Sequence, residues 1–252
     1  MKKRLFLISF VLAVFMPLIL FSYDIKPMKI GVGEYMEFKV KIFGSTVAIQ
    51  KLKVLDIVDV DGVKCYKIKA DIQSVPWISK IYKLHDIAYE YIDVNTLTPV
   101  KIKSKIHEGS WTNTVFIDID RKNNKLHYKD KRSDKVLKYK GTALGLISLI
   151  YYARTMVPKK GEKITFVISN KDKLEYIHSV VKSTNAAIYL KKFRKKFFAY
   201  LYEQIGGRNV ALWISKDKHR LPVRMISMKL KIAGYGITNI EAWLIKYKPG
   251  NL

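Results

Sequence analysis

The residues best suited to chemistry are spaced in ways that give no reaction. Five histidines, His85, His107, His127, His178 and His219, contain no pair at i, i+2 or i, i+4. Two imidazoles on one strand or helix need that spacing to reach a common metal ion. His85-Asp86 supplies half of a general-base pair, but no serine or cysteine lies in a nucleophile motif and Gly-x-Ser-x-Gly is missing. Asp118 and Asp120 share one side of a strand, yet Arg121 and Lys122 follow them at once, which is the composition of a turn. Gly31-x-Gly33 lacks the third glycine of a phosphate loop and opens a strand rather than a helix. Cys65 is the single cysteine, so no internal disulfide can form, and alternation puts it on the Val63 face as a small buried hydrophobe. The residues therefore predict no catalytic group, no metal and no cofactor, and a non-enzymatic protein.

Arg154 is the exception that asks for a partner. It is the only charged side chain between Lys140 and Lys159, near the end of an apolar helical stripe. A cation there complements the helix dipole, and if buried it needs a carboxylate. Asp217 is the predicted partner in a structural ion pair, with Glu162 and Asp172 as competing acids. Trp77, Tyr151, Tyr152, Trp213 and Trp243 are candidate ligand-binding residues, because a concave sheet lined by aromatic rings and lidded by a helix holds apolar ligands. Core packing is the competing role for the same rings.

Period-two alternation dominates the elements that must position these groups. Met36, Phe38, Val40 and Ile42 alternate with Glu37, Lys39 and Lys41; Gly44-Ser45 then turns the chain into Thr46–Asp56. Asp59–Gly62 is the next turn, and Val100–His107 is the clearest strand, with lysines on one side. Further strands are predicted over Val63–Ile72, Trp111–Ile119, Leu126–Lys131, Ile164–Ile168, Lys173–Ser183, Val210–Ser215, Arg224–Ala233 and Ile237–Lys246. Between Thr142 and Met156 apolar residues recur at three- and four-residue spacing until Pro158 and Gly161 stop them, which predicts one amphipathic helix. A helical turn is expected over Trp77–Tyr82. Ala186–Gln204 carries both periods and is read as a strand, a basic turn and a second strand. The fold class is mainly β: an antiparallel meander forming an open or partly closed barrel or curved sheet, with the helix packed on it.

The 252 residues include 47 Lys+Arg and 21 Asp+Glu, a formal charge of +26, with 49% hydrophobic content. That much apolar material excludes intrinsic disorder, and 13 Gly with 7 Pro exclude a collagen-like chain. Lys2, Lys3 and Arg4 precede an apolar stretch from Leu5 to Phe21, which reads as a signal peptide over 1–22 or an uncleaved N-terminal anchor, followed by a single β-rich domain over 23–252. The expected location is the periplasm. Lysine clusters at Lys101–Lys105, Lys129–Lys140 and Lys191–Lys196 attract anions. For an exported chain that points to lipid head groups or acidic glycans and a membrane-surface contact, not to nucleic acid.

Gly33-Glu34-Tyr35 at the start of a strand, Leu146 to Arg154 in the helix, and Trp213 to Asp217 followed by Arg220-Leu221-Pro222-Val223 form an ordered set of motifs. Ile92-Asp93, Thr96-Leu97-Thr98-Pro99 and Glu108-Gly109 fit the same order. Together they resemble the exported bacterial proteins grouped as domain of unknown function 3108, over residues 31 to 245; the basic segment Ala186–Lys196 departs from the pattern. The resemblance implies a β-rich envelope domain and no established activity. Two functions are expected: binding of an apolar or amphipathic envelope component such as a lipid, or docking on acidic envelope polymers or a protein partner through the basic surface.

Overall fold

The computed structural model describes residue 28 and residues 30–251, apart from 171, 207–209, 228–229, 233–234 and 238–239; at 170, 230–232 and 235–237 the backbone alone is described. The N-terminal segment 1–22 and parts of the turns at Gly206-Gly207 and Gly234-Tyr235-Gly236 lie outside these residues.

The first strands are β1 (Tyr35–Ile42), β2 (Ser45–Val60) and β3 (Val63–Ser74), followed by the helical turn α1 (Pro76–Ser79). Then come β4 (His85–Asp93), β5 (Pro99–Glu108), β6 (Trp111–Asp120), β7 (Lys125–Lys129) and β8 (Asp134–Lys138). The helix α2 (Leu146–Thr155) separates these from β9 (Lys163–Asn170), β10 (Lys173–Leu190), β11 (Lys195–Gln204), β12 (Val210–Ser215) and β13 (Pro222–Ser227). A small hairpin of β14 (Leu230–Ile232) and β15 (Tyr235–Ile237) precedes β16 (Ile240–Lys248).

Fourteen strands form one antiparallel sheet in the order β8-β7-β6-β5-β4-β3-β2-β1-β16-β13-β12-β11-β10-β9. It is two meanders joined through their first and last members: β1 pairs with β16 from Tyr35↔Lys248 to Ile42↔Ile240. The predicted fold class is thus what the chain adopts, and Ala186–Gln204 is strand, 3-10 turn and strand as read from its pattern. The edges β8 and β9 do not pair. Contacts still bridge them: Lys135 reaches Asp172 at 2.5 Å, and the backbone N–H of Lys140 donates to the Tyr176 hydroxyl at 3.1 Å.

The helix is shorter than the 142–156 predicted, because its first residues serve another purpose. The Leu144 N–H donates to the Val167 carbonyl and the Val167 N–H to the Thr142 carbonyl, so this stretch runs along the β9 edge before the helix begins. Blunting an edge in this way removes a template for unwanted strand pairing. Ile147, Ile150 and Tyr151 then pack with Met36, Phe38, Leu52, Ile68, Ile92 and Leu244. On the other side Leu144, Ala153 and Met156 join Phe166, Ile177, Tyr200 and Ile214. The helix therefore occupies the hollow of the curved sheet. No helix among the described residues is long and apolar enough to cross a membrane.

Candidate functional site

Both ends of α2 are held by buried charge. At its N-terminus Glu90 of β4, 2% exposed, accepts the Ile147 N–H on Oε1 at 2.9 Å and the Ser148 N–H on Oε2 at 2.8 Å. A carboxylate placed on unpaired N-terminal amides is the favourable end of the helix dipole. Gly145 makes room for it: a Cβ there would meet Glu90 Oε1 at 2.2 Å. Burial nevertheless raises the Glu90 pKa, with the two amides opposing the rise.

At the C-terminus Arg154 has no exposed surface. Its Nη1 and Nη2 donate to Glu34 Oε1 and Oε2 at 2.8 and 2.9 Å, a bidentate fork. Nε donates to the Arg220 carbonyl and Nη2 also to the His219 carbonyl, each at 3.1 Å. The guanidinium lies 4.9 Å from the Tyr151 ring centre. Burial alone would disfavour its charge, but Glu34 outweighs that and holds the Arg154 pKa above its usual value. The Tyr247 hydroxyl stands 3.4 Å from Glu34 Oε2 and 3.1 Å from His219 Nδ1; burial, then the Glu34 charge, push its pKa up to about 12. Arg220 reciprocates by donating to the Arg154 and Met156 carbonyls.

The expected Arg154–Asp217 pair is therefore corrected. Asp217 accepts the Ser215 hydroxyl at 3.2 Å and the His219 N–H at 3.0 Å, shaping the turn whose carbonyls reach Arg154. The competing acids are engaged elsewhere, Glu162 with the Lys159 N–H and Asp172 with Lys135. Sequence reasoning missed Glu34 because it precedes β1, 120 residues from Arg154. The only signal was its place in the Gly33-Glu34-Tyr35 motif. Glu90 was missed as well: in β4 the rings of Tyr89 and Tyr91 take the outward phase, and the acid points in.

The five candidate aromatic residues do not line one pocket. Tyr151 is fully buried beside Arg154, and Tyr152 packs against the second core cluster. Trp213 and Trp243 occupy the sheet face alternate to Leu212 and Ile214, where Arg224 lies between them, 5.0 and 4.4 Å from the two ring centres. Glu241 accepts from both Arg224 and the Trp243 indole, so this stack is filled by the protein's own groups. Trp77 is exposed on α1.

The histidines are equally dispersed. His85 lies against Asp71 and Gln73, and His127 against Asp134. Among the described residues no group of three or more His, Cys, Asp or Glu side chains could hold a metal ion. Two shallow surface depressions, one around Asn113, Phe116 and Lys131 and one around Asn185, Phe198 and Lys216, lie outside the sheet's hollow. What the buried groups do is fix the helix at both ends.

A single open antiparallel sheet wrapped round one charge-clamped helix defines a barrel-like β class. The chain belongs to the family described as protein of unknown function (DUF3108), whose model matches residues 37–238. A crystal structure of a beta-barrel-like protein of domain of unknown function DUF1849 from Brucella abortus is similar in fold, with TM-score 0.52 and 10% identity over 88% of this chain and 100% of that one. No curated protein matches the sequence.

Proposed function

We propose that this chain is a non-enzymatic, exported envelope protein that docks through its basic outer face on an acidic envelope component. The observation that carries the reading is the row of side chains across the outer surface of the first meander. Lys53, Lys69, Tyr89, Lys103, Phe116 and Lys129 lie in direct cross-strand register on β2 to β7. They occupy the phase alternate to the buried Leu52 and Val54. Lys103 sits 5.3 Å from the Phe116 ring centre, and Lys67 lies 5.7 and 5.9 Å from those of Tyr89 and Tyr91. The rings hold the Lys67 and Lys103 ammonium groups at the surface without neutralising them, which leaves their charge available to an anionic partner, whereas Lys69 and Lys129 are paired with Asp71 and Asp134.

The occupied hollow favours docking over a ligand carried inside the sheet. An apolar ligand there would have to displace α2 from two core clusters and break both of its charged clamps. Nucleic acid is not proposed as the partner, since an exported protein does not meet it. The test is titration of the protein with soluble polyglutamate at increasing salt. Affinity should fall steeply with salt and drop further in a Lys53→Gln/Lys103→Gln/Lys129→Gln variant that unfolds like the wild type. Absent or salt-insensitive binding would sink the reading, and native mass spectrometry retaining a lipid inside the sheet would restore the carrier alternative.

A further inference from the structure

The end of the sheet opposite Arg154 carries large apolar side chains that the core does not use. β1 begins beside Glu34 and ends at the Phe43-Gly44 turn, where Phe43 is 76% exposed. β3 ends at the same side in α1, which buries none of its residues, and there Trp77 is 53% and Ile81 82% exposed. The third connection at this end, between β5 and β6, presents Trp111.

These tips are built firmly. The Val75 N–H donates to the Val47 carbonyl at 2.9 Å, tying the start of α1 to the strand that leaves the Phe43 turn. The Ser74 and Ser79 hydroxyls are 2.6 Å apart, and the Leu84 N–H donates to Ser74 Oγ at 3.0 Å, closing the loop on itself. The Gly109 N–H donates to the Lys83 carbonyl, so the β5–β6 turn is fixed to the same loop. Lys80 and Lys83 are exposed between the tips, and Lys131 lies 5.9 Å from the Trp111 ring centre.

We propose that this rim inserts into the surface of a membrane containing anionic lipid, with Phe43, Trp77 and Ile81 entering the interface and Lys80, Lys83 and Lys131 resting on the head groups. The proposal rests on the docking reading above and names its partner. Separate aromatic and aliphatic knuckles ringed by lysines match an interface that is apolar beneath and anionic on top. A folded protein partner instead requires a continuous patch of about 800 Å² per side, which projecting loop tips do not offer. The strong positive charge of the chain is complementary to such a lipid surface.

The test places an environment-sensitive nitrobenzoxadiazole probe on the full chain at Ile81→Cys, leaving the buried Cys65 in place, and adds vesicles of phosphatidylglycerol or of phosphatidylcholine. A probe reading at one residue separates insertion of the rim from any binding by the N-terminal apolar stretch. Expected is a blue shift with a several-fold rise in emission on phosphatidylglycerol alone. A probe at Lys122→Cys, in the turn between β6 and β7 at the other end, should stay in water. Adding Phe43→Ser and Trp77→Ser to the Ile81→Cys chain should abolish the shift. No shift at position 81 while polyglutamate still binds overturns the rim and leaves the docking reading standing; loss of polyglutamate binding as well overturns both. An equal shift on phosphatidylcholine removes the requirement for anionic lipid and also overturns the proposal.

Discussion

Replacing Arg154 by alanine should be among the most damaging single changes in the molecule. The Arg154 side chain has no exposure and that of Glu34 4%, so solvent cannot compensate either charge. The substitution removes two charge-assisted bonds to Glu34 and two to the His219 and Arg220 carbonyls. It leaves a buried carboxylate with the long Tyr247 contact at 3.4 Å. Removing one partner of a buried pair costs about 3–5 kcal/mol. At about 2–4 °C per kcal/mol for a domain of this size, the melting temperature should fall by about 6–20 °C. Urea and thermal unfolding of Arg154→Ala, Glu34→Ala and the double variant give the coupling energy, which should exceed that of Arg154 with Asp217 by more than about 1 kcal/mol. The apolar pair Arg154→Met/Glu34→Leu should recover part of the loss but not all, because the two carbonyls remain without donors. A loss below about 1 kcal/mol in Arg154→Ala, the range of an exposed pair, would refute the clamp.

Three further outcomes follow from particular contacts. Asp130 accepts from the Asn113 amide, the Arg132 and Ser133 N–H groups and the Tyr128 hydroxyl, which together lower its pKa to about 2. A depressed folded pKa means stability present above the unfolded value of 3.8 and lost as the pH falls toward about 2; unfolding midpoints of Asp130→Asn should show a flatter acid limb, and parallel limbs would contradict the bonding. Gly145→Ala should destabilise by about 2 kcal/mol or more in urea, since the new Cβ pushes Glu90 off the helix amides; a neutral result would mean that the carboxylate has another seat. The Cys65 thiol, pushed up to about 11 by burial and then by Asp93, should not react with dithionitrobenzoate in the native protein at mildly alkaline pH and should react fully once unfolded.

The strands were legible because alternation is a local signal: Met36, Phe38 and Val40 announce the buried phase of β1, and most of the turns supply their own Gly, Asp or Asn. The helix was legible from its stripe, although its start was placed too early. Residues 142–144 are apolar enough to continue the stripe, and only the β9 edge opposite them decides that they stay extended. What local pattern could not carry was partnership across the fold. Asp217 offers Arg154 the right charge in a turn rich in basic neighbours, whereas Glu34 reaches the site only because β1 lies beside β16. Glu90 shows the same limit from the other direction. Between two tyrosines an acid reads as solvent-facing, and only the helix amides waiting inside reverse that phase.

The junction of β1 with β16 also sets the order in which the molecule can be finished. Within each meander, pairing is mostly between strands adjacent in the sequence, so hairpins can form as the chain emerges. The contact of Tyr247 with Glu34, 213 residues apart, cannot. Until the last strand is made, β1 presents a bare edge and β13 lacks one neighbour, and both are templates for pairing with another chain. The Arg220 and His219 carbonyls that complete the Arg154 clamp also lie in the second meander, so the helix is locked only when the two halves meet. A chain threaded from its N-terminus therefore carries an adhesive half-sheet for most of its synthesis. The short C-terminal strand serves as the stopper that ends this exposure, and losing it would harm solubility far more than its nine residues suggest.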